Sequence, residues 1–188
     1  MTAIEQTLTE LTEQLRVLQA ESAARRLLGR YMFLCDAPMP THEMSERERA
    51  QAIGELFTED AVWEGVGAAH SARFGRKVGP HAIADHMAEF FTASPKLTFN
   101  THYLCSECLT ATQSAAEGTW VQFQPWVHDD GRSVLRSSRL HVAFRLTAQG
   151  WRIARYRTEN LFIADLPADW ASSLITTSVL METALPGV

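Results

Sequence analysis

The segment LTFNTHYLCSECLTA, residues 97–111, opens the part of the chain that decides the fold. Apolar and polar side chains partly alternate along it, which is typical of a β-strand with one buried face. Three further segments of the same kind follow at 114–127, 133–147 and 150–163, separated by polar turns such as DDGR at 129–132. We therefore predict four consecutive strands in the C-terminal half of the chain.

Helices are predicted in the N-terminal half. Apolar residues follow a helical spacing over residues 4–36, where the prolines of APMP end the pattern. Ser45 is suited to cap a second helix, ERERAQAIGELF (46–57), and GPHAIADHMAEFFTAS (79–94) has the apolar face of a third. A short strand is expected at DAVWEG (60–65). Helices followed by four strands predict an α+β domain with a curved antiparallel sheet.

The first helix begins with an apolar stripe at the four–three spacing of a coiled coil, formed by Ile4, Leu8, Leu11, Leu15 and Leu18. Only about two heptads are sustained, which is too short a repeat to assign a coiled coil. The stripe favours packing on a neighbouring element or on the same helix of a second subunit, so we expect a homo-oligomer, either a dimer or a trimer.

Length and composition restrict the class of protein. A chain of 188 residues suits one domain, which we place at 22–165, with an N-terminal helical extension at 1–21 and a C-terminal helix or tail at 166–188. The net charge of −5 argues against nucleic acid as a partner, and no apolar run is long enough to span a membrane. Three cysteines and an N-terminus without signal-peptide character predict a cytoplasmic protein.

Cys105 and Cys108 form a C-x-x-C pair inside the first strand-like segment. A redox pair of this spacing normally begins a helix, and a zinc site would need two further ligands at suitable spacing, which do not occur. In a strand the two side chains should point to opposite faces, so we interpret them as buried or half-buried packing residues. No glycine-rich phosphate loop occurs either, and we expect neither a metal nor a cofactor.

Two strands carry polar residues that suit a pocket or an interface. Alternation places Asn100, His102, Leu104 and Ser106 on one face of the first strand. In the second strand, one face carries Trp120, Gln122, Gln124 and Trp126. Aromatic rings interleaved with amides are typical of a ligand pocket, but a subunit interface is equally consistent with them.

Four residues are candidates for chemistry. His102 would act as a general base if a carboxylate held one ring nitrogen, and Asp36, at the end of the first helix, is the obvious partner. Without such a partner, His102 is a structural histidine. In the last strand, Arg155 and Arg157 share a side, where they either stabilise an oxyanion or face solvent.

The order of motifs resembles a known family. Five segments occur in the order RYMFLCD, ELFTEDAVWEG, GPHAIADHMAEFF, NTHYLCS and GWRIARYRTE. This order resembles the SnoaL-like branch of the nuclear transport factor 2-like (cystatin-like) superfamily, and the resemblance covers residues 22–165. The resemblance implies a cone in which the curved antiparallel sheet wraps over the N-terminal helices, with a deep pocket at its open end. Members include dehydratases, a dehydrochlorinase, cyclases and isomerases, and also non-catalytic subunits.

The resemblance also implies roles for individual residues. In dehydratase-like members an aspartate ending the first helix pairs with a histidine on the first long strand, and Asp36 and His102 occupy those places. Tyr31 matches a tyrosine that assists the leaving group in some dehydratases. Arg157 or Arg155 matches an arginine on the last strand.

These observations predict a cofactor-independent lyase of the dehydratase type. His102, oriented by Asp36, would remove a proton from a hydrophobic cyclic small molecule, with help from Tyr31 and Arg157. The substrate would contact side chains that are mostly aromatic, namely Trp63, Phe90, Phe91, Trp120 and Trp126, together with Gln122 and Arg155. The alternatives are a non-catalytic binding or assembly module on the same fold, and an isomerase or polyketide cyclase that uses the same base.

Overall fold

Helices and strands follow one another in the predicted order. The computed structural model describes residues 2–39, 44–67, 71 and 74–170. The helices are α1 (Ala3–Cys35), α2 (Glu46–Gly54) and α3 (Pro80–Thr92). The strands are β1 (Phe57–Val66), β2 (Arg76–Val78), β3 (Leu97–Asn100), β4 (Tyr103–Ala111), β5 (Ala115–His128), β6 (Ser133–Thr147) and β7 (Gly150–Asp165).

Capping boxes begin α1 and α2. The Thr2 and Ser45 side chains accept hydrogen bonds from backbone N–H groups, and Glu5 and Glu48 return bonds to the cap backbones. The predicted helical pattern over residues 4–36 forms one helix, α1, which runs without a break from Ala3 to Cys35. Its apolar N-terminal stripe is exposed, and burial begins only at Ala20.

The sheet has the order β2-β1-β7-β6-β5-β3, and β4 also pairs with β5. It is strongly curled, as expected for a cone. One part of the expectation needs correction: the sheet is mixed, because β1 runs parallel to β7 while the other pairs are antiparallel. Parallel pairing is possible here because a long crossover connection, which includes α3, separates the two strands in sequence.

The first long strand of the prediction is two strands in the structure. β3 pairs with the C-terminal end of β5 and β4 with its N-terminal part, and the chain bends between them at Thr101 and His102. A second irregularity follows at Ser106, which has a positive φ of 54°. The pairing register shifts between Cys105 and Cys108, so strict alternation does not continue through this segment.

The shift changes the interpretation of the two cysteines. Cys105 pairs with Val121 and Cys108 with Thr119, two residues apart on β5, so both cysteines lie on the same face. Both are exposed free thiols on the outer face of the sheet. The predictions that they are buried packing residues and point to opposite faces were therefore wrong.

A bulge in β7 reverses the predicted face of the two arginines. Phe144 pairs with Ile153 and Ala143 with Arg155, which leaves Ala154 as the extra residue. Beyond this point Tyr156 and Thr158 are buried in the interior, while Arg155 and Arg157 line a groove on the outer face. Neither arginine faces the interior of the cone, which corrects the expectation that Arg155 and Arg157 take part in the site and agrees with the alternative that they lie on the outside.

The hydrophobic core lies between the inner face of the sheet and the helices, and includes Leu28, Tyr31, Ile53, Trp63, Ile83, Met87, Leu140, Phe144, Ile153 and Tyr156. Among the described residues, no helix combines the length and the apolar character that a membrane crossing needs. Most of the predicted C-terminal helix or tail, from residue 171 onward, lies outside the described residues.

Candidate functional site

A cavity opens between α1, α3 and the inner face of the sheet. Its aromatic and apolar wall consists of Tyr31, Trp63, Phe74, Met87, Phe90, Trp126 and Tyr156. Its polar groups come from Cys35, His86, Asn100, His102, Gln122, Gln124, Arg136 and Thr158. A mostly apolar wall with a few placed polar groups is typical of a small-molecule site.

The cavity is narrow. About 60 Å³ is open to the centre of a water-sized sphere. This space holds only a few water molecules, since one water needs about 10–15 Å³ of it. Side chains in the wall must therefore move before a ring-sized ligand can enter.

Asp36 and His102 meet at one side of this cavity. Asp36 is the first residue after α1, and its backbone is extended, so the chain turns away from the direction of the helix at this residue. Its Oδ1 atom lies 2.7 Å from Nδ1 of His102 and accepts a hydrogen bond of 3.0 Å from the His102 backbone N–H. The His102 side chain is 7% exposed, so the ring is largely removed from water.

Arg49 of α2 fixes the end of α1 from outside the cavity. Its guanidinium donates to the carbonyl oxygens of Leu34 (2.5 Å) and Asp36 (2.6 Å) and lies over the ring of Phe91 at 3.8 Å. α1 has no basic residue in its own last turn, so Arg49 supplies the positive charge that its C-terminus favours. Asp36 is thus held at its backbone before its side chain reaches His102.

A chain of side-chain amides determines the tautomer of His102. Asn100 Nδ2 donates to the Cys35 carbonyl (3.1 Å), which can only accept, so Asn100 Oδ1 faces Gln124. Gln124 Nε2 must then donate, both to Asn100 Oδ1 (2.9 Å) and to His102 Nε2 (2.7 Å). His102 Nε2 therefore accepts, and the ring hydrogen lies on Nδ1, directed at Asp36.

Gln122 ends this chain. Its Nε2 donates to Gln124 Oε1 at 2.7 Å, while its own Oε1 is buried and has no hydrogen-bond partner among the described residues. Asn100, Gln122 and Gln124 are each at most 5% exposed. A buried acceptor without a partner is unfavourable, and a ligand hydroxyl or N–H that reached it would remove that cost.

Tyr31 lies in the cavity wall as a neutral hydroxyl. Trp63 Nε1 donates to its oxygen at 2.8 Å, and its ring packs on Tyr156 with centroids 4.7 Å apart. Burial raises the pKa of Tyr31 well above its ordinary value, and burial likewise raises the pKa of the Cys35 thiol to about 12. Both groups are therefore protonated near neutral pH.

His86 of α3 is a second histidine in the wall. Its ring lies beside Trp63, with centroids 4.9 Å apart, and also contacts Phe74. Burial lowers the pKa of His86, with a smaller contribution from Lys77, so the ring is neutral near pH 7. His86 was not among the site residues predicted from the sequence.

Arg136 of β6 is the arginine that does enter the cavity. It is 3% exposed, and its guanidinium lies over the ring of Trp126 at 3.9 Å. Sequence reasoning missed it, although a signal was present: Arg136 belongs to the same alternating set as Leu140, Val142 and Phe144, which all face the core.

Of the other residues predicted to contact a ligand, some line the cavity, whereas Trp120 and Phe91 lie elsewhere in the core. Trp63, Phe90 and Gln122 line the cavity. Trp120 does not: it packs edge-on against Phe144, and its indole N–H donates to Glu107 at 3.1 Å. It faces the interior as predicted but lies in the core, away from the cavity.

Comparison with known proteins agrees with this architecture. An NTF2-like protein with a cystatin-like fold from Novosphingobium aromaticivorans is 23% identical, with a TM-score of 0.61 over 96% of this chain and 97% of that one. Hexachlorocyclohexane dehydrochlorinase from Novosphingobium barchaimii is 14% identical, with a TM-score of 0.63 over 81% and 94%. A candidate scytalone dehydratase from Novosphingobium aromaticivorans is 14% identical, with a TM-score of 0.60 over 86% and 92%.

At these identities the solved structures show a shared fold, and comparison with curated protein sequences gives no match. The sequence itself is more specific. The SnoaL-like domain profile matches residues 16–157, from the middle of α1 to the last strand, and this span contains Asp36, His102 and the amide chain between them. The chain therefore belongs to the SnoaL-like domain family.

Proposed function

We propose that the protein is a cofactor-independent lyase of the dehydratase type, acting on a small, hydrophobic, ring-containing molecule. The observation that carries the proposal is the 2.7 Å contact between Asp36 Oδ1 and His102 Nδ1 at the wall of an apolar cavity. A carboxylate in this position orients the imidazole and stabilises the imidazolium that forms when the ring takes up a proton.

The proposed reaction is the loss of water from a β-hydroxy ketone. His102 Nε2 removes a proton from the carbon next to the carbonyl group, the C–O bond to the hydroxyl group breaks, and the proton returns from His102 to the departing oxygen as water. The product is an α,β-unsaturated ketone, so no electrons are gained or lost. The substrate must displace the Gln124 N–H that now bonds to His102 Nε2.

Other cavity groups would support this reaction. The Tyr31 hydroxyl accepts from Trp63 and also shares a hydrogen bond with the Cys35 thiol, so a carbonyl or leaving oxygen would have to replace Cys35 to receive the Tyr31 hydrogen. The Arg136 guanidinium supplies positive charge near any oxygen that becomes negative. Gln122 Oε1 would accept a hydrogen bond from a substrate hydroxyl. Arg155 and Arg157 have no part, because they lie on the outer face.

The decisive experiment uses a panel of small cyclic β-hydroxy ketones and follows the absorbance of the enone product. We expect His102→Gln to lower kcat/KM by about 10²–10⁴-fold, the usual contribution of a positioned general base. His141→Gln is the matched control, since His141 lies on the outer face, where its side chain is 43% exposed. Near-normal turnover in His102→Gln would refute the proposal. Product analysis separates a dehydratase from an isomerase or cyclase that uses the same base.

A second candidate, a non-catalytic binding module, is favoured by two observations. The cavity is narrow, and the His102 nitrogen that would take the proton is covered by Gln124. A binding module would bind the same ketones without converting them, as measured by calorimetry and product analysis. Binding without turnover for every ligand of the panel, equal in wild type and His102→Gln, would establish this candidate instead.

A further inference from the structure

We propose that Gln124 is a positioning residue that holds His102 in its neutral, proton-accepting form against the opposing influence of Asp36. The inference concerns the same site as the proposed function and rests on it for its catalytic meaning. The contact that carries it is the hydrogen bond between Gln124 Nε2 and His102 Nε2, which lie 2.7 Å apart.

The two neighbours of His102 favour opposite charge states of the ring. An N–H donor can bond to Nε2 only when that nitrogen carries no hydrogen, so Gln124 stabilises the neutral ring. The Asp36 carboxylate on the other nitrogen stabilises the imidazolium. A base needs both: it must be neutral before the reaction and able to carry the charge afterwards.

Gln124 cannot easily reverse its amide to relieve this constraint. A reversed Gln124 would place its oxygen against Asn100 Oδ1, and Asn100 cannot reverse in turn without losing its bond to the Cys35 carbonyl. Gln122 adds no restraint of its own, because its Oε1 has no partner among the described residues and its amide could reverse together with that of Gln124. Because these groups are buried, water cannot replace the lost partners. The fixed end of the chain is thus a backbone carbonyl at the end of α1.

The other titratable groups in the cavity wall are the same in wild type and in every variant of Gln124, so they do not affect the comparison between these proteins. Around His102 the wall presents Tyr31 and Cys35 from α1, His86 from α3, Arg136 from β6 and Tyr156 from β7, besides Asp36. Gln124 is therefore the neighbour whose replacement changes the balance at Nε2 while leaving the groups around Nδ1 in place.

The test is an NMR titration of the imidazole of His102 in the ligand-free full chain, with the signal assigned by its loss in His102→Gln. Gln124→Met keeps the shape of the side chain but removes the donor. One net hydrogen bond is about 1 kcal/mol, so the titration midpoint should rise by about 0.7 pH unit, or fivefold in proton affinity. Gln124→Glu places a second carboxylate beside the ring, and the midpoint should rise further, by about 1–3 units.

Gln122→Met is the matched control, since it removes a neighbouring buried amide but leaves the Gln124–His102 bond. Its midpoint should stay close to that of wild type. An unchanged or lower midpoint in Gln124→Glu overturns the inference, and this outcome decides the question even if Gln124→Met fails to fold. Since no substrate is needed, the inference can fail while His102→Gln still abolishes turnover, or hold while no ketone is converted.

Discussion

A single oxygen of Asp36 contacts His102 at two atoms, the backbone N–H and the ring nitrogen Nδ1. The first contact fixes the bend between β3 and β4, and the second fixes the orientation of the imidazole at that bend. Sixty-six residues separate the two partners, so the relationship exists only in the folded chain. It joins the end of the first helix to the sheet at the wall of the cavity.

The charge of Asp36 is tested by Asp36→Asn. An asparagine oxygen can still accept both hydrogen bonds, so the fold and the ring orientation should survive while the stabilisation of the imidazolium is lost. We expect kcat/KM to fall by about 10²-fold with little change in Tm. Asp60→Asn is the control, because Asp60 is an exposed carboxylate that pairs with Arg145 on the surface. Equal activity of Asp36→Asn and wild type would contradict this role.

Arg49 should contribute to stability through the end of α1. Arg49→Met removes two charge-assisted bonds, one to the buried Leu34 carbonyl and one to the partly buried Asp36 carbonyl, and we expect the free energy of unfolding to fall by about 2–4 kcal/mol in urea titrations. Arg47→Met, on the exposed side of the same helix, should change it by less than about 0.5 kcal/mol. A similar loss of unfolding free energy in Arg49→Met and Arg47→Met would show that the bonds from Arg49 to the end of α1 do not contribute to stability.

His86 makes stability depend on pH. Burial lowers the pKa of His86, so the native protein binds fewer protons than the unfolded chain between that lowered pKa and about 6.5. The free energy of unfolding should therefore decrease as the pH falls through this window, by at most about 1.4 kcal/mol per pH unit from this residue. His86→Phe should flatten the dependence, whereas His141→Gln should leave it. If the free energy of unfolding of His86→Phe depended on pH as strongly as that of wild type, the dependence would arise from other groups.

The apolar stripe of α1 is expected to mediate association between copies of the chain. Ile4, Leu8, Leu11, Leu15 and Leu18 are 55–74% exposed, and a row of this kind is unfavourable in water. We expect wild type to be a dimer or trimer by light scattering, and Leu8→Glu combined with Leu15→Glu to shift the mass toward the 21.0 kDa monomer. Thr9→Glu, away from the stripe, is the control. A monomeric wild type at micromolar concentration would exclude the role.

Local periodicity determined much of the fold from sequence alone. The helical spacing of α1, the cap at Ser45 and the alternation along β5 depend on residues close in sequence, and each is present as predicted. Trp120, Gln122, Gln124 and Trp126 are all buried on the inner face, because side chains at a spacing of two share one side of a strand and the two tryptophans favour the interior. The motif order likewise indicated the family.

Only the tertiary structure decided which side chains form the site. The extra residue Ala154 in β7 reverses the faces of Arg155 and Arg157, and the bulge near Ser106 brings both outer-strand cysteines to one face. Such bulges arise from the register between neighbouring strands and leave no periodic signal in one strand. Asp36 and His102 could be proposed as partners from the sequence, because both occupy places that the family resemblance indicates. The hydrogen bond from Gln124 to His102, with Gln124 held through Asn100 by the Cys35 carbonyl, could not be predicted, because it depends on how distant segments pack in the folded chain.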